Sequence, residues 1–296
     1  MNSKLRDERA PRLREERAKA RLEAESLAGD LPAVLLEARR LAAAAPGVHG
    51  RRRAGQGEAF WQFRDHRPED GARLVDWRRS ARGERLYVRE REREAAQTAL
   101  FWIDPDPAFN WSSAPERAAK RRRALTISLA FALLASRGGE RVGALGGPAP
   151  RAGARAVDRL AEDLAFTATP NPPAPNARAV ALYCSDFYGP LEAWLTRLKA
   201  AAAVGASGAL MIIADPAEED FPYEGRTLFE VPGRRETIVF GRAQSARAAY
   251  AERLAAHRAA LRALAREYGF VALVHRTDRS AAPALASLSA ALGEAR

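Results

Sequence analysis

The chain has 296 residues, 47% of them hydrophobic and 29% charged, which gives room for one substantial core plus an accessory module and excludes a disordered or fibrous polypeptide. A formal net charge of +11 raises nucleic acid or an anionic membrane as partners, but only Lys4, Lys19, Lys120 and Lys199 are lysines. The remainder is arginine in an alanine-rich chain, as a biased codon supply produces, and the charge alone decides little. Cys184 is the single cysteine, so no intrachain disulfide can form and a reducing compartment is expected.

Residues 1–50 read as an N-terminal helical arm. Charges of both signs alternate early, and Leu35, Leu36 and Leu41 then supply an apolar stripe, with Pro32 marking a break or a new first turn. Asn2 to Arg21 lacks the apolar centre of a secretory signal, and the longest apolar run, Ala124 to Ala135, falls short of the ~18 residues of a spanning helix. These features predict a cytoplasmic protein without a transmembrane segment, with peripheral membrane association left open.

Residues 51–97 interleave aromatics with arginine and acid. Arg64, Arg67, Arg73, Arg78, Arg79, Arg82, Arg85 and Arg89 alternate with Glu58, Asp65, Glu69, Asp70, Asp76 and Glu90. Mixed signs at this density predict ion-pair networks in preference to a uniform anion-binding strip. Trp61, Phe63, Trp77 and Tyr87 offer apolar area to pin the segment onto a neighbouring domain.

From residue 98 apolar runs alternate with helical stretches, the pattern of a mostly parallel sheet covered on both faces. Strands are predicted at Thr98–Ile103, Val142–Leu145, Ala179–Cys184, Leu210–Ala214 and Val271–His275, and helices near 114–137, 153–165, 189–203, 243–267 and 281–293. Ser113-Ala-Pro-Glu116 reads as a capping box opening the first helix, whose apolar centre predicts deep burial. Thr227–Val231 and Glu236–Gly241, around Pro232-Gly233, predict an appended hairpin.

Four predicted strands end at acids: Asp104 and Asp106, Asp186, Asp215, and Asp278. In an open parallel sheet these ends share one edge, where ligands bind. Collected carboxylates there offer oxygen ligands to Mg²⁺, whereas Asp215 and Asp278 taken singly read as helix caps. Asp104-Pro-Asp106 after a strand also fits the Asp-x-Asp opening of a Mg²⁺-dependent phosphatase, although no phosphate-binding lysine is easily placed. His49, His66, His257 and His275 show no zinc-ligand spacing, and no phosphate-binding glycine loop is present.

Gly57-Glu58, Phe63-Arg64, Pro68-Glu69-Asp70, Arg73, Asp76-Trp77, Ser80-Ala81-Arg82 and Leu86-Tyr87-Val88 follow one another in order, and the run resembles the signature of the bacterial family called domain of unknown function 58. Gly139–Gly143, Ser185-Asp186-Phe187, Asp215–Glu218, Pro222–Thr227 and Thr277-Asp278 are similar to its later landmarks, so the resemblance covers about residues 50–280. It implies an α/β fold like the von Willebrand factor A domain (Rossmann-like, with helices on both faces of a mostly parallel sheet over 98–296), the short soluble form, and a non-enzymatic adaptor. The partners it implies are a MoxR-type AAA+ ATPase and a client protein.

In A-like domains a metal-ion-dependent adhesion site begins with Asp-x-Ser-x-Ser and is completed by a threonine and a later aspartate. Here Asp104 matches the first position, Asp106 and Ala108 replace the serines, Ser185-Asp186 matches the later loop, and Thr167 or Thr169 matches the threonine by order alone. The resemblance thus implies a degenerate site at Asp104, Asp106 and Asp186, with Mg²⁺ as its cofactor if it holds one. Ser185, Arg64, Arg73, Asp76, Trp77 and Arg82 are the expected partner-facing residues, and Asp186→Ala is expected to weaken docking and leave the fold intact. The rival readings are a basic nucleic-acid-binding protein, disfavoured by the acids of the signature segment, and the Asp-x-Asp phosphatase.

Overall fold

The alternating runs fold as an α/β domain built on a five-stranded, all-parallel sheet. The computed structural model of the chain describes residues 32–45, 60–65, 75–81, 83, 85–91, 97–166, 169–232 and 237–294. The chain divides into two compact units, residues 50–96 and the remainder.

In the larger unit, Pro32 opens helix α1 (32–44), its missing N–H costing nothing in a first turn. Val34, Ala38 and Ala42, spaced by four, bury one stripe of α1 in the main core. Arg39 pairs with Asp158 at 2.8 Å and Glu37 with Arg123 at 3.4 Å. The described part of the arm therefore belongs to the α/β core.

The smaller unit pairs β1 (Phe60–Asp65) with β2 (Tyr87–Arg91) in antiparallel register, Asp65 opposite Tyr87. Between them lies one short turn of helix, α2 (Trp77–Ser80), capped by Asp76, whose carboxylate accepts the Arg79 N–H at 3.0 Å. Buried Ser80 ties this turn to β2: its hydroxyl donates to the Asp76 carbonyl and accepts the Tyr87 N–H. The Arg79 guanidinium lies 5.6 Å from the Tyr87 ring centre.

The sheet of the larger unit runs β4 (Arg141–Ala144), β3 (Thr98–Ile103), β5 (Val180–Ser185), β6 (Ser207–Ala214), β9 (Phe270–Arg276). Strand alternation sends Ala99, Phe101 and Ile103 to one face and Leu100 and Trp102 to the other. The first face carries α1, α3 (Lys120–Arg137), α4 (Ala156–Phe166) and α8 (Ala281–Glu294). The second carries α5 (Leu191–Ala203) and α7 (Arg247–Glu267), with Tyr183, Trp194, Trp102 and Phe270 in edge and tilted ring contacts. The parallel α/β sheet with helices on both faces expected from the sequence is thus the one found.

Two local expectations are corrected. The helix predicted from 114 begins at Lys120, with Ala119 at its cap and no side-chain cap bond. Ser113 is drawn away instead: its N–H donates to Asp215 at 3.0 Å and its hydroxyl accepts from Arg117. The tertiary bond to Asp215 outcompetes the local capping box. The second is a short helix, α6 (Pro216–Asp220), directly after β6, which is absent from the predicted helix ranges although Asp215 reads as a helix cap. The hairpin does form, as β7 (Thr227–Glu230) and β8 (Thr237–Phe240) in a separate two-stranded sheet.

Candidate functional site at the strand-end edge

Strand order places the site. From β3 the chain steps to β4 on one side and then to β5 on the other, so the carboxyl ends of β3 and β5 flank the point where winding reverses, the usual ligand crevice of open α/β sheets. The parallel register sets Ile103 opposite Cys184, and the next pair along is Asp104 and Ser185. The Ser185 hydroxyl donates to Asp104 Oδ2 at 2.6 Å, and the Asp106 N–H donates to Oδ1 at 2.9 Å. Burial pushes the Asp104 carboxyl above the usual carboxylate range, against these two hydrogen bonds.

Asp106 accepts the Ala108 N–H at 2.9 Å and so caps the short 3₁₀ turn Pro107–Phe109. Ser185, expected to face a partner, is 2% exposed. Its hydroxyl serves Asp104 on one side and the Phe187 N–H on the other, which makes it a loop-setting residue instead. Asp76 is likewise committed to capping α2, whereas Trp77 is exposed. Arg64 lies on β1, and Arg73 and Arg82 fall outside the described residues, as does Thr167. Thr169 gives its hydroxyl to the Asn171 carbonyl at 3.2 Å, and its own carbonyl accepts the Trp102 indole N–H.

The residue that organises the edge is one that sequence reading passed over. Lys120, the first residue of α3, is 1% exposed, and its ammonium lies 2.9 Å from Asp186 Oδ2 and 2.5 Å from Glu218 Oε1. The rings of Phe109, Trp111 and Tyr188 surround the same nitrogen at 5.8, 5.9 and 5.5 Å from their centres. Burial opposes the charge, but the pull of Asp186 and Glu218 outweighs it and holds the ammonium above the ordinary lysine value. Burial raises the Glu218 carboxyl in turn, against the pull of Lys120.

Glu218 reaches Lys120 because α6 is built as a capping box. Asp215 accepts the Ala217 N–H at 2.9 Å, and Glu218 Oε2 accepts the Asp215 N–H at 2.9 Å, leaving Oε1 for the lysine. Asp215 is fully buried. Although burial works to raise it, hydrogen bonds from Ser113 and Ala217 and the nearby Arg117 hold its carboxyl below the usual range. The helix-cap reading of Asp215 is the one realised. Asp278 instead pairs with Arg276, which also grips Asp220 through two nitrogens.

The edge thus sets Asp186 and Glu218 against a lysine cation, with Asp104 held by Ser185 at the neighbouring strand end. It fits the metal implied by the resemblance poorly. Ala108 has no side-chain donor atom, the Asp186 and Glu218 carboxylates already meet an ammonium, and no group of three His, Cys, Asp or Glu side chains among the described residues could hold a metal ion. Asp186→Ala would strip one of two counter-charges from a buried ammonium, so this substitution is expected to cost stability as well as docking.

Beside the edge stands the β7–β8 hairpin. Phe221, which closes α6 in the left-handed region at φ 44°, stacks on Phe229 at 5.6 Å and meets Tyr250 at 4.9 Å. The Tyr250 hydroxyl donates to the Glu218 carbonyl at 2.7 Å. Leu228 pairs with Val239 across the hairpin, and these two and Ile238 are each more than half exposed. Beyond the far end of the edge, Leu273, Val274, His275, Arg276, Pro283 and Ala284 help line a surface cleft of about 500 Å³.

A doubly wound α/β domain with a charged strand-end edge, joined to a small arginine-rich β unit, defines the class of protein. The family described as "Protein of unknown function DUF58" matches residues 62–260, and the chain belongs to that family. It is similar to the uncharacterized proteins Rv1480 of Mycobacterium tuberculosis and Mb1516 of Mycobacterium bovis, each 27% identical over 246 residues that cover 76% of both chains. Among solved structures it is similar to the conserved hypothetical protein BatB from Bacteroides thetaiotaomicron, at 12% identity and a TM-score of 0.36, over 68% of this chain and 98% of that one. No helix among the described residues is long and apolar enough to cross a membrane.

Proposed function

We propose that this protein is a non-enzymatic adaptor of the cytoplasm that docks partner proteins at its strand-end edge and works with a MoxR-type AAA+ ATPase in assembling or remodelling protein complexes. The observation that carries the docking half is the hairpin: Leu228 and Val239, opposite each other on one face, stay more than half exposed on a two-stranded sheet clamped by rings to α6. Half-burying Leu228 and Val239, which share one face of the hairpin, against a partner yields on the order of 1 kcal/mol each, and the neighbouring charged edge supplies orientation. The family resemblance supports the ATPase as partner. The adhesion-like loop site enters this reading as a docking edge, with the degenerate ligand set around Asp104, Asp106 and Asp186 described above.

The test is co-purification from native cells with Mg²⁺ in one arm and EDTA in the other, repeated with the Leu228→Asp, Val239→Asp variant. Both side chains are exposed, so the variant keeps its fold. The expected result is an AAA+ ATPase recovered with the wild type and depleted about tenfold with the variant. Recovery of nucleic acid alone, lost steeply with salt, would replace the adaptor by the nucleic-acid reading. Mg²⁺-dependent phosphate release that disappears in Asp104→Asn would replace it by the phosphatase.

A further inference from the structure

We infer that Lys120 is the resident cation of the strand-end edge: its ammonium fills the place between Asp186 and Glu218 that a divalent ion would need, so this edge takes no metal. That part stands without the adaptor reading; that docking is therefore metal-independent rests on it.

The local sequence makes the placement conspicuous. Helix α3 opens with Lys120-Arg121-Arg122-Arg123 and has no acid in its first turn, which sets positive charge against the positive end of the helix dipole. A helix of its own accord favours the reverse. Tertiary partners supply the reason: Arg123 reaches Glu37 and the Thr277 carbonyl, and Lys120 reaches the two strand-end carboxylates. Lys120 also anchors backbone, its N–H donating to the Trp111 carbonyl at 3.1 Å and so drawing that ring toward its own ammonium.

The surroundings discriminate between kinds of cation. Mg²⁺ demands near-octahedral oxygen ligation and keeps several waters. Here three aromatic faces line the space around the nitrogen, a poor replacement for water but a good neighbour for an ammonium. Two carboxylate oxygens complete the shell, and the lysine stem arrives through the core side of the edge, where Lys120 is 1% exposed. A divalent ion would have to expel a covalently tethered competitor and also find ligands that the rings do not provide.

The wild-type protein, titrated with Mn²⁺ and followed by the electron paramagnetic resonance of the free ion, is expected to bind none through the millimolar range, and to melt at the same temperature in Mg²⁺ and in EDTA. Lys120→Ala is expected to lower Tm by about 10 °C, since two part-buried carboxylates lose their cation. Propylammonium should restore part of that loss in a saturable way and leave the wild type unmoved, while Mg²⁺ should not restore it. Stoichiometric Mn²⁺ binding to the wild type that vanishes in Asp186→Asn would overturn the inference, as would rescue of Lys120→Ala by Mg²⁺ in preference to propylammonium. If Lys120→Ala does not fold, the wild-type titration decides alone. None of these readouts involves the ATPase, so they fail or succeed separately from the adaptor reading.

Discussion

His275 is buried on β9 at 4% exposure, and its Nε2 has no hydrogen-bond partner among the described residues. Burial and the nearby Arg123 both disfavour the imidazolium and push its pKa down to about 4, against the opposite pull of Asp278. Between that value and the ordinary one of about 6.5 the unfolded chain binds more protons than the folded one, so stability falls as pH drops through this window and is unaffected above it. The full loss is on the order of 3 kcal/mol. His275→Leu removes the titration and the unpartnered nitrogen together. Urea unfolding of the two proteins at pH 7.5 and at steps down to pH 4.5 should show the variant gaining on the wild type as pH falls; a constant difference would mean His275 protonates freely in the folded state.

At the scale of elements, the contact between β5 and β6 is set by one glycine. A side-chain carbon added at Gly208 would lie 1.8 Å from the Ala181 carbonyl oxygen, and the obstacle is backbone, which cannot rotate aside. Gly208→Ala must therefore push two central strands apart and should cost at least about 3 kcal/mol in urea unfolding. A cost below about 1 kcal/mol would show that β6 can slide without loss. This glycine was invisible as such in the sequence, because a close approach belongs to two strands at once. The strands themselves were legible: Thr98–Ile103 was placed to the residue, and the other four lie within a few residues of their predicted ends. The start of α3 was not, because the capping box at Ser113 is a local signal and the partner that defeats it, Asp215, lies 102 residues away. Helix α6 was missed because its capping box, Asp215 to Glu218, sits in an acidic run that reads equally well as a loop.

At the scale of the molecule, the site divides along the same line. Asp104 and Asp186 could be read as strand ends because the parallel fold itself collects them. Lys120 and Glu218 could not, since a Lys-Arg-Arg-Arg run reads as a solvated basic patch. The available clue was composition: Lys120 is one of four lysines in an arginine-rich chain, and it follows Phe109 and Trp111 closely. Its two carboxylate partners come from the loop after β5 and from α6 directly after β6, so a single side chain ties the first turn of α3 to two strand ends. If that tie is one cooperative unit, its charges must cost more when separated than when removed together. Lys120→Met alone leaves two part-buried carboxylates facing each other and should cost about 3 kcal/mol. Adding Asp186→Asn and Glu218→Gln to it should recover most of that loss, whereas the same two changes in the wild type strand the ammonium and destabilise. Urea unfolding of these variants closes the cycle. Costs that simply add would mean that the three charges act separately and that the edge owes its geometry to the backbone; strong recovery would mean that the lysine and its two acids hold the edge as one piece.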